Sequence, residues 1–172
     1  MSELLHGLAP IVGTRPRVLI LGNMPSVMSL AAGQYYGNPR NAFWRITADV
    51  LGFDAAAPYD ERVHALVQRG IAVWDVLRSC RRVGSLDSAV EPDSMVPNDF
   101  GTFFVAHREI VRVVFNGAAA ETNYRRLVAV ETSPPSVRLP STSPAHTMAY
   151  ADKLAAWRPA LELTDYRRAG AG

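Results

Sequence analysis

One cysteine, Cys80, and one lysine, Lys153, are all that the 172 residues hold of either type. A lone thiol excludes a disulfide framework, a structural zinc cluster and a four-thiolate iron–sulfur site. A lone amine, placed in the closing helix and away from the expected ligand rim, argues against Schiff-base chemistry. No apolar run reaches membrane length and the N-terminus lacks a leader pattern, so no membrane partner and cytoplasmic residence are expected. Internal repeats and low-complexity linkers are missing. So are the G-x-G-x-x-G fingerprint and the phosphate-loop pattern, which sets aside the usual nucleotide-binding α/β enzymes. No metal motif is present and no cofactor is implied.

What is there is an ordinary apolar fraction, 48%, and a net charge of only +2. The length suits one domain, residues 1–172, with 1–16 as a loose lead-in broken by Pro10, Gly13 and Pro16. The basic residues are almost all arginine, grouped at Arg78, Arg81 and Arg82 and again at Arg125 and Arg126. Genomic base composition explains that bias as readily as phosphate binding does, although the guanidinium fork matches phosphate geometry.

Periodicity places four buried strands: RVLILG (17–22), IAVWDVL (71–77), VRVVFNG (111–117) and the start of SVRLPSTSPAH (136–146). Helical spacing covers NAFWRITADVLG (41–52), YDERVHALVQRG (59–70), PNDFGTFFVAH (97–107), AAAETNYRRLVAV (118–130) and TMAYADKLAAWRPALEL (147–163). Pro159 is expected to kink or end the last of these. Buried strands alternating with amphipathic helices predict an α/β fold: a three-layer α/β/α sandwich around a short, mainly parallel sheet. In such sheets ligands bind beyond the carboxyl ends of the strands. Those ends carry the unusual residues: Gly22–Ser26, Asp75, Asn116 and Ser141–His146. The stretch LGNMPSVMSLAAGQYYGNPRNAFW (21–44) adds a concentration of turn residues, amides and aromatics.

Together LGNMPS, YYGNPRNAFW, GIAVWDVLRSC, FNG and LPSTSPAH resemble the uracil-DNA glycosylase superfamily, nearest its hypoxanthine-DNA glycosylase branch, over roughly residues 17–160. The resemblance implies an enzyme that flips a damaged base out of double-stranded DNA and hydrolyses its N-glycosidic bond. Because the one lysine, Lys153, is expected away from the rim, a monofunctional enzyme that leaves an abasic site is expected, and a monomer is the default. The superfamily carries an Asp or Asn before the proline of its first loop; this chain has Met24 there, which neither accepts a proton nor orients a water. The branch it resembles uses an Asn in the downstream PRN stretch, here Asn41.

Glycosidic hydrolysis passes through an oxocarbenium-like sugar and a departing anionic base, so an amide that holds water is chemically adequate. Asn41 is the candidate, and it is equally placed to cap the helix after it; Asn23 and Asn38 are rivals. Asp75 is expected to read the Watson–Crick edge of the base, or else to cap the next turn. Its carboxylate would accept an N–H but repel a carbonyl oxygen unless protonated. Gly22, Met24, Pro25, Tyr36 and Asn116 are expected around the base, with Phe43 stacking on it and Trp44 in the core. Ser26, Arg40 and Ser143 are expected on DNA phosphates, His146 on a phosphate or, if near the base, on the leaving group, and Pro144 and Ala145 at the wedge. Ser141 takes the position that stabilises the leaving group in some relatives. Two readings compete: a uracil- or mismatch-preferring enzyme of the same superfamily, and a non-catalytic lesion-DNA-binding module, which Met24 favours.

Overall fold

The apolar alternation within each strand decides the layering. In the computed structural model, which describes residues 2–162, β2 (Val18–Gly22) is buried along its whole length. Val18 and Ile20 point into one core with Phe43, Trp44, Ile46, Leu66 and Trp157. Leu19 and Leu21 point into a second core with Phe100, Phe103, Phe115 and Tyr124. A strand buried on both faces needs a helical layer on each side.

The main sheet has the order β3-β2-β6-β7, with every pair parallel. Its other strands are β3 (Ile71–Asp75), β6 (Arg112–Asn116) and β7 (Ser136–Leu139). Helices α2 (Phe43–Leu51), α3 (Tyr59–Gln68) and α6 (Tyr150–Leu161) cover one face; α4 (Phe100–Ala106) and α5 (Ala118–Leu127) cover the other. The expected α/β/α sandwich is therefore the fold. Register pairs Gly22 with Asp75 and Asn116 with Leu139, so the strands end together on one rim.

Several expectations are corrected. The lead-in is not loose: β1 (Leu4–His6) pairs antiparallel with β4 (Leu77–Arg81), and Ile11 bridges to Val73. With β5 (Val96–Pro97), β4 and β1 make a small second sheet, so residue 77 belongs to a different strand from 71–75. Residues 97–99 precede α4 rather than open it, because Asp99 accepts from the Thr102 amide and caps it. A helix unexpected from sequence, α1 (Val27–Ala32), is capped by Ser26 and closed by Gly33 at φ 64°. Pro159 lies within the last turn of α6, and the helix runs on to Leu161, with the Glu162 amide still donating to the Arg158 carbonyl; the expected last residue, 163, lies outside the described residues. Among the described residues no helix is long and apolar enough to cross a membrane.

Candidate active site

Five segments meet at the rim around a cavity of about 280 Å³: residues 22–29, the 35–41 loop, Asp75, the 85–87 turn, and Asn116 with the 141–145 loop. That volume sits near the low end of small-molecule sites, roughly 300–1,000 Å³. Two serine-bearing segments, with Ser26 and Ser29 on one and Ser141 and Ser143 on the other, line it.

Asp75 is 5% exposed, and its Oδ2 is buried without a hydrogen-bond partner among the described residues. Burial, then the nearby charge of Asp87, push its carboxyl up to about 7, against the opposing pull of Arg82. The side chain caps no turn, so of its two expected roles the capping one is corrected. Gly22, its register partner, explains how the acid fits. A Cβ at residue 22 would stand 2.4 Å from Asp75 Oδ1 and 3.2 Å from the Tyr36 hydroxyl.

The 85–87 turn was not anticipated as part of the site. Asp87 as a residue is exposed, but its carboxyl turns inward and Oδ1 accepts from Asn23 Nδ2 at 3.1 Å. Burial raises its pKa, with Asn23 and Arg82 opposing. Asn23 Oδ1 in turn accepts from Asn123 Nδ2 at 2.8 Å. Asn23 thus has both ends of its amide engaged and buttresses the turn, a poorer water holder than its rival. Arg82, 4% exposed, donates from Nη2 to the Pro25 carbonyl at 2.6 Å and so holds the first loop from beneath.

Asn41 lines the cavity. Its Oδ1 accepts from the Phe43 amide at 2.9 Å, an Asx-type turn leading into α2, while the capping position itself is Ala42. The turn fixes the side chain and leaves its Nδ2 without a partner among the described residues, so positioning and access to a ligand coexist. Asn38, the other rival, accepts from the Arg40 amide.

Asn116 is fully used. Its Nδ2 donates to the Tyr36 hydroxyl at 3.1 Å and to Thr142 Oγ1 at 2.9 Å, and its Oδ1 accepts from the Thr142 amide at 2.9 Å. Thr142 carries its carbonyl to the Ala42 amide. One strand-end amide therefore fastens two loops, and through Thr142 the start of α2. Thr142, 1% exposed, had no sequence signal beyond its place between two serines.

Phe43 is the clearest correction. It is 0% exposed and does not line the cavity, because Tyr36 stacks on it at 4.0 Å and 21°. Tyr36 presents the ring to the cavity, held in the left-handed backbone region at φ 53°, a conformation that costs about 1–3 kcal/mol and persists only where surroundings enforce it. Trp44 packs in the core as expected, its indole donating to the Tyr35 carbonyl. Met24, Pro25 and Ser26 line the cavity, with the Ser26 hydroxyl also capping α1. Ser141 Oγ accepts from the Ser143 amide and Ser143 Oγ from the Ala145 amide. Both serines shape the 141–145 loop, with Pro144 and Ala145 on the cavity side. Arg40 and His146 line not this cavity but the one beside it, and Lys153, expected away from the rim, lines that one too.

A profile of the uracil DNA glycosylase superfamily matches residues 10–163, and the chain belongs to that family. It is a DNA N-glycosylase. Among individual relatives, a hypoxanthine DNA glycosylase of Methanosarcina barkeri (strain Fusaro) is 32% identical over 113 residues, 65% of this chain and 70% of that protein. A hypoxanthine DNA glycosylase of Methanosarcina acetivorans is 32% identical over 116 residues, 67% and 72%. The solution structure of a candidate uracil DNA glycosylase from Methanosarcina acetivorans superposes with a TM-score of 0.77 at 28% identity, covering 92% of this chain and 97% of that one.

Proposed function

We propose that this glycosylase excises hypoxanthine from double-stranded DNA, taking the flipped base into the Asp75–Tyr36 cavity and leaving an abasic site. The observation that carries the reading is the buried Asp75 carboxyl with its unpartnered oxygen. A neutral acid offers one donor and one acceptor side by side. That is the complement of the N1–H and O6 edge of hypoxanthine, whereas an ionised carboxylate would repel O6. The curated relatives named above support the purine over other deaminated bases.

Water held by Asn41 adds to C1′ as the N9–C1′ bond breaks. The water's proton is lost to solvent, and the departing purine anion takes one up. Charge grows on O6 as the bond lengthens, so a hydrogen bond from the Asp75 hydroxyl strengthens in the transition state, which is where it accelerates the reaction. Tyr36 supplies the ring face, and burial raises its hydroxyl pKa well above the ordinary value, keeping it neutral beside the base.

Uracil presents the same donor–acceptor edge through N3–H and O4, so it is the second reading. The test is incubation with labelled duplexes carrying one deoxyinosine or one deoxyuridine, followed by alkali. Strand breaks at inosine, and only after alkali, are expected. Breaks at uracil alone would move the activity to a pyrimidine enzyme. Tight binding to both duplexes without turnover would support the binding-module reading that Met24 invites.

A further inference from the structure

Beside the base cavity lies a second one of about 330 Å³, and the two share Asn41, Thr142 and Pro144 as a common wall. Its lining holds the basic residues Arg40, Arg45, His146 and Lys153 and no carboxylate. None of these four makes an ion pair among the described residues. Arg45 lies over the Tyr150 ring at 3.6 Å, and the nearby Asp49 is occupied by the Tyr150 hydroxyl. Lys153 is the unusual member. It is 4% exposed, yet its ammonium makes a single hydrogen bond, to the Ser143 carbonyl at 3.1 Å. Desolvation holds its pKa below the ordinary value, and an ammonium that lines this cavity with donors beyond the one it gives to Ser143 is placed to take an anion there.

Resting on the glycosylase reading above, we propose that this cavity seats one backbone phosphate of the lesion strand, next to the flipped nucleotide, and that Lys153 is its buried ligand. A lysine binds phosphate as a point charge. A flipped nucleotide in the first cavity must carry its phosphodiester past the shared wall, and Asn41 stands on that wall. Lys153 also holds the 143–146 turn, because the Ser143 carbonyl accepts both its ammonium and the His146 amide. Seating the phosphate is thereby coupled to the shape of the loop that closes over the base.

The experiment measures affinity for a duplex with one tetrahydrofuran abasic analogue, while single methylphosphonates neutralise the flanking phosphates one at a time. Native protein is expected to bind roughly tenfold more weakly when one particular neighbouring phosphate is neutral, the scale of a charge-assisted hydrogen bond. Lys153→Met is expected to bind the unmodified duplex about tenfold more weakly and to lose nothing further at that phosphate, the signature of a shared interaction. Lys153→Arg should restore the sensitivity. An unchanged penalty in Lys153→Met, or a flat scan in the native protein, overturns the proposal. If Lys153→Met does not melt cooperatively, Arg45→Gln takes its place: a reduced penalty at the same phosphate supports the seat and an undiminished one overturns it. Equal affinity for abasic and intact duplexes would count against base excision. The scan on the intact duplex would then decide the phosphate seat by itself.

Discussion

Asp75 is the residue on which pH should act. Its ordinary pKa of 3.8 is raised to about 7 in the fold. The sign follows from linkage: the neutral acid is the form the fold favours. Its contribution to stability is full below pH 3.8, declines above it, and is lost as pH rises through about 7. Excision of hypoxanthine is therefore expected to fall as pH rises through that value, with Asp87, Arg82, Tyr35 and Tyr36 as the groups facing the acid. Asp75→Asn should flatten the profile measured by single-turnover rates between pH 6 and 9. It should also raise the melting temperature most at the alkaline end, where burying a carboxylate costs up to roughly 4 kcal/mol at about 1.4 kcal/mol per unit. A variant with the native pH profile would remove Asp75 from recognition. At Asn41 the expectation concerns rate alone. Asn41→Ala should slow single-turnover cleavage about a hundredfold, the scale of a misplaced reactant, with little change in affinity for abasic DNA; a native rate would return the role to Asn23 or Asn38.

Among elements, the carboxyl end of β6 does the most positioning. Asn116 joins the strand to the Tyr36 loop and to Thr142, and Thr142 joins both to the start of α2. Removing it leaves the Tyr36 hydroxyl and the Thr142 amide without their partner and lets the 141–145 loop drift. Asn116→Ala is expected to lower stability by about 2 kcal/mol in urea titrations, since three bonds to part-buried groups are lost. It should also raise KM more than tenfold. Intact base binding in this variant would show that the loops hold themselves. The small sheet has a quieter function: pairing β1 to β4 anchors the segment that leads to the 85–87 turn, and Arg82 just beyond β4 props the first loop.

At the scale of the whole molecule, the separation of base and amine decides what product leaves. Lys153 lines the second cavity and not the first, so its nitrogen stands apart from the cavity proposed to take the base. Borohydride added during turnover is expected to trap no covalent protein–DNA adduct, and strands should break only after alkali. A trapped adduct lost in Lys153→Gln would mean that the amine reaches the sugar and that the enzyme also cuts the strand.

The layered fold was legible because its signals are local. Alternating burial in VLILG and IAVWD, and glycine stops after two helices, follow from chain geometry over a few residues, and they give the four strands of the parallel sheet, although not their order in it. The rim was legible for the same reason: strand ends in a parallel sheet lie together, so Gly22, Asp75, Asn116 and the 141–146 loop had to converge. What periodicity could not reach depends on contacts between distant segments. That Tyr36 rather than Phe43 faces the cavity is decided by one ring stacking on the other after α2 has packed. Asp87 and Arg82 enter the site only because β4 folds back against residues 4–6. Lys153 enters because α6 crosses under the 143–146 turn. The shifted acidity of Asp75 needs both its burial and the approach of a second carboxylate twelve residues away. The sequence alone determined the scaffold and most of the residues on its rim; the tertiary structure decided which of their faces meet the ligand, because that rests on packing and desolvation between parts of the chain far apart in sequence.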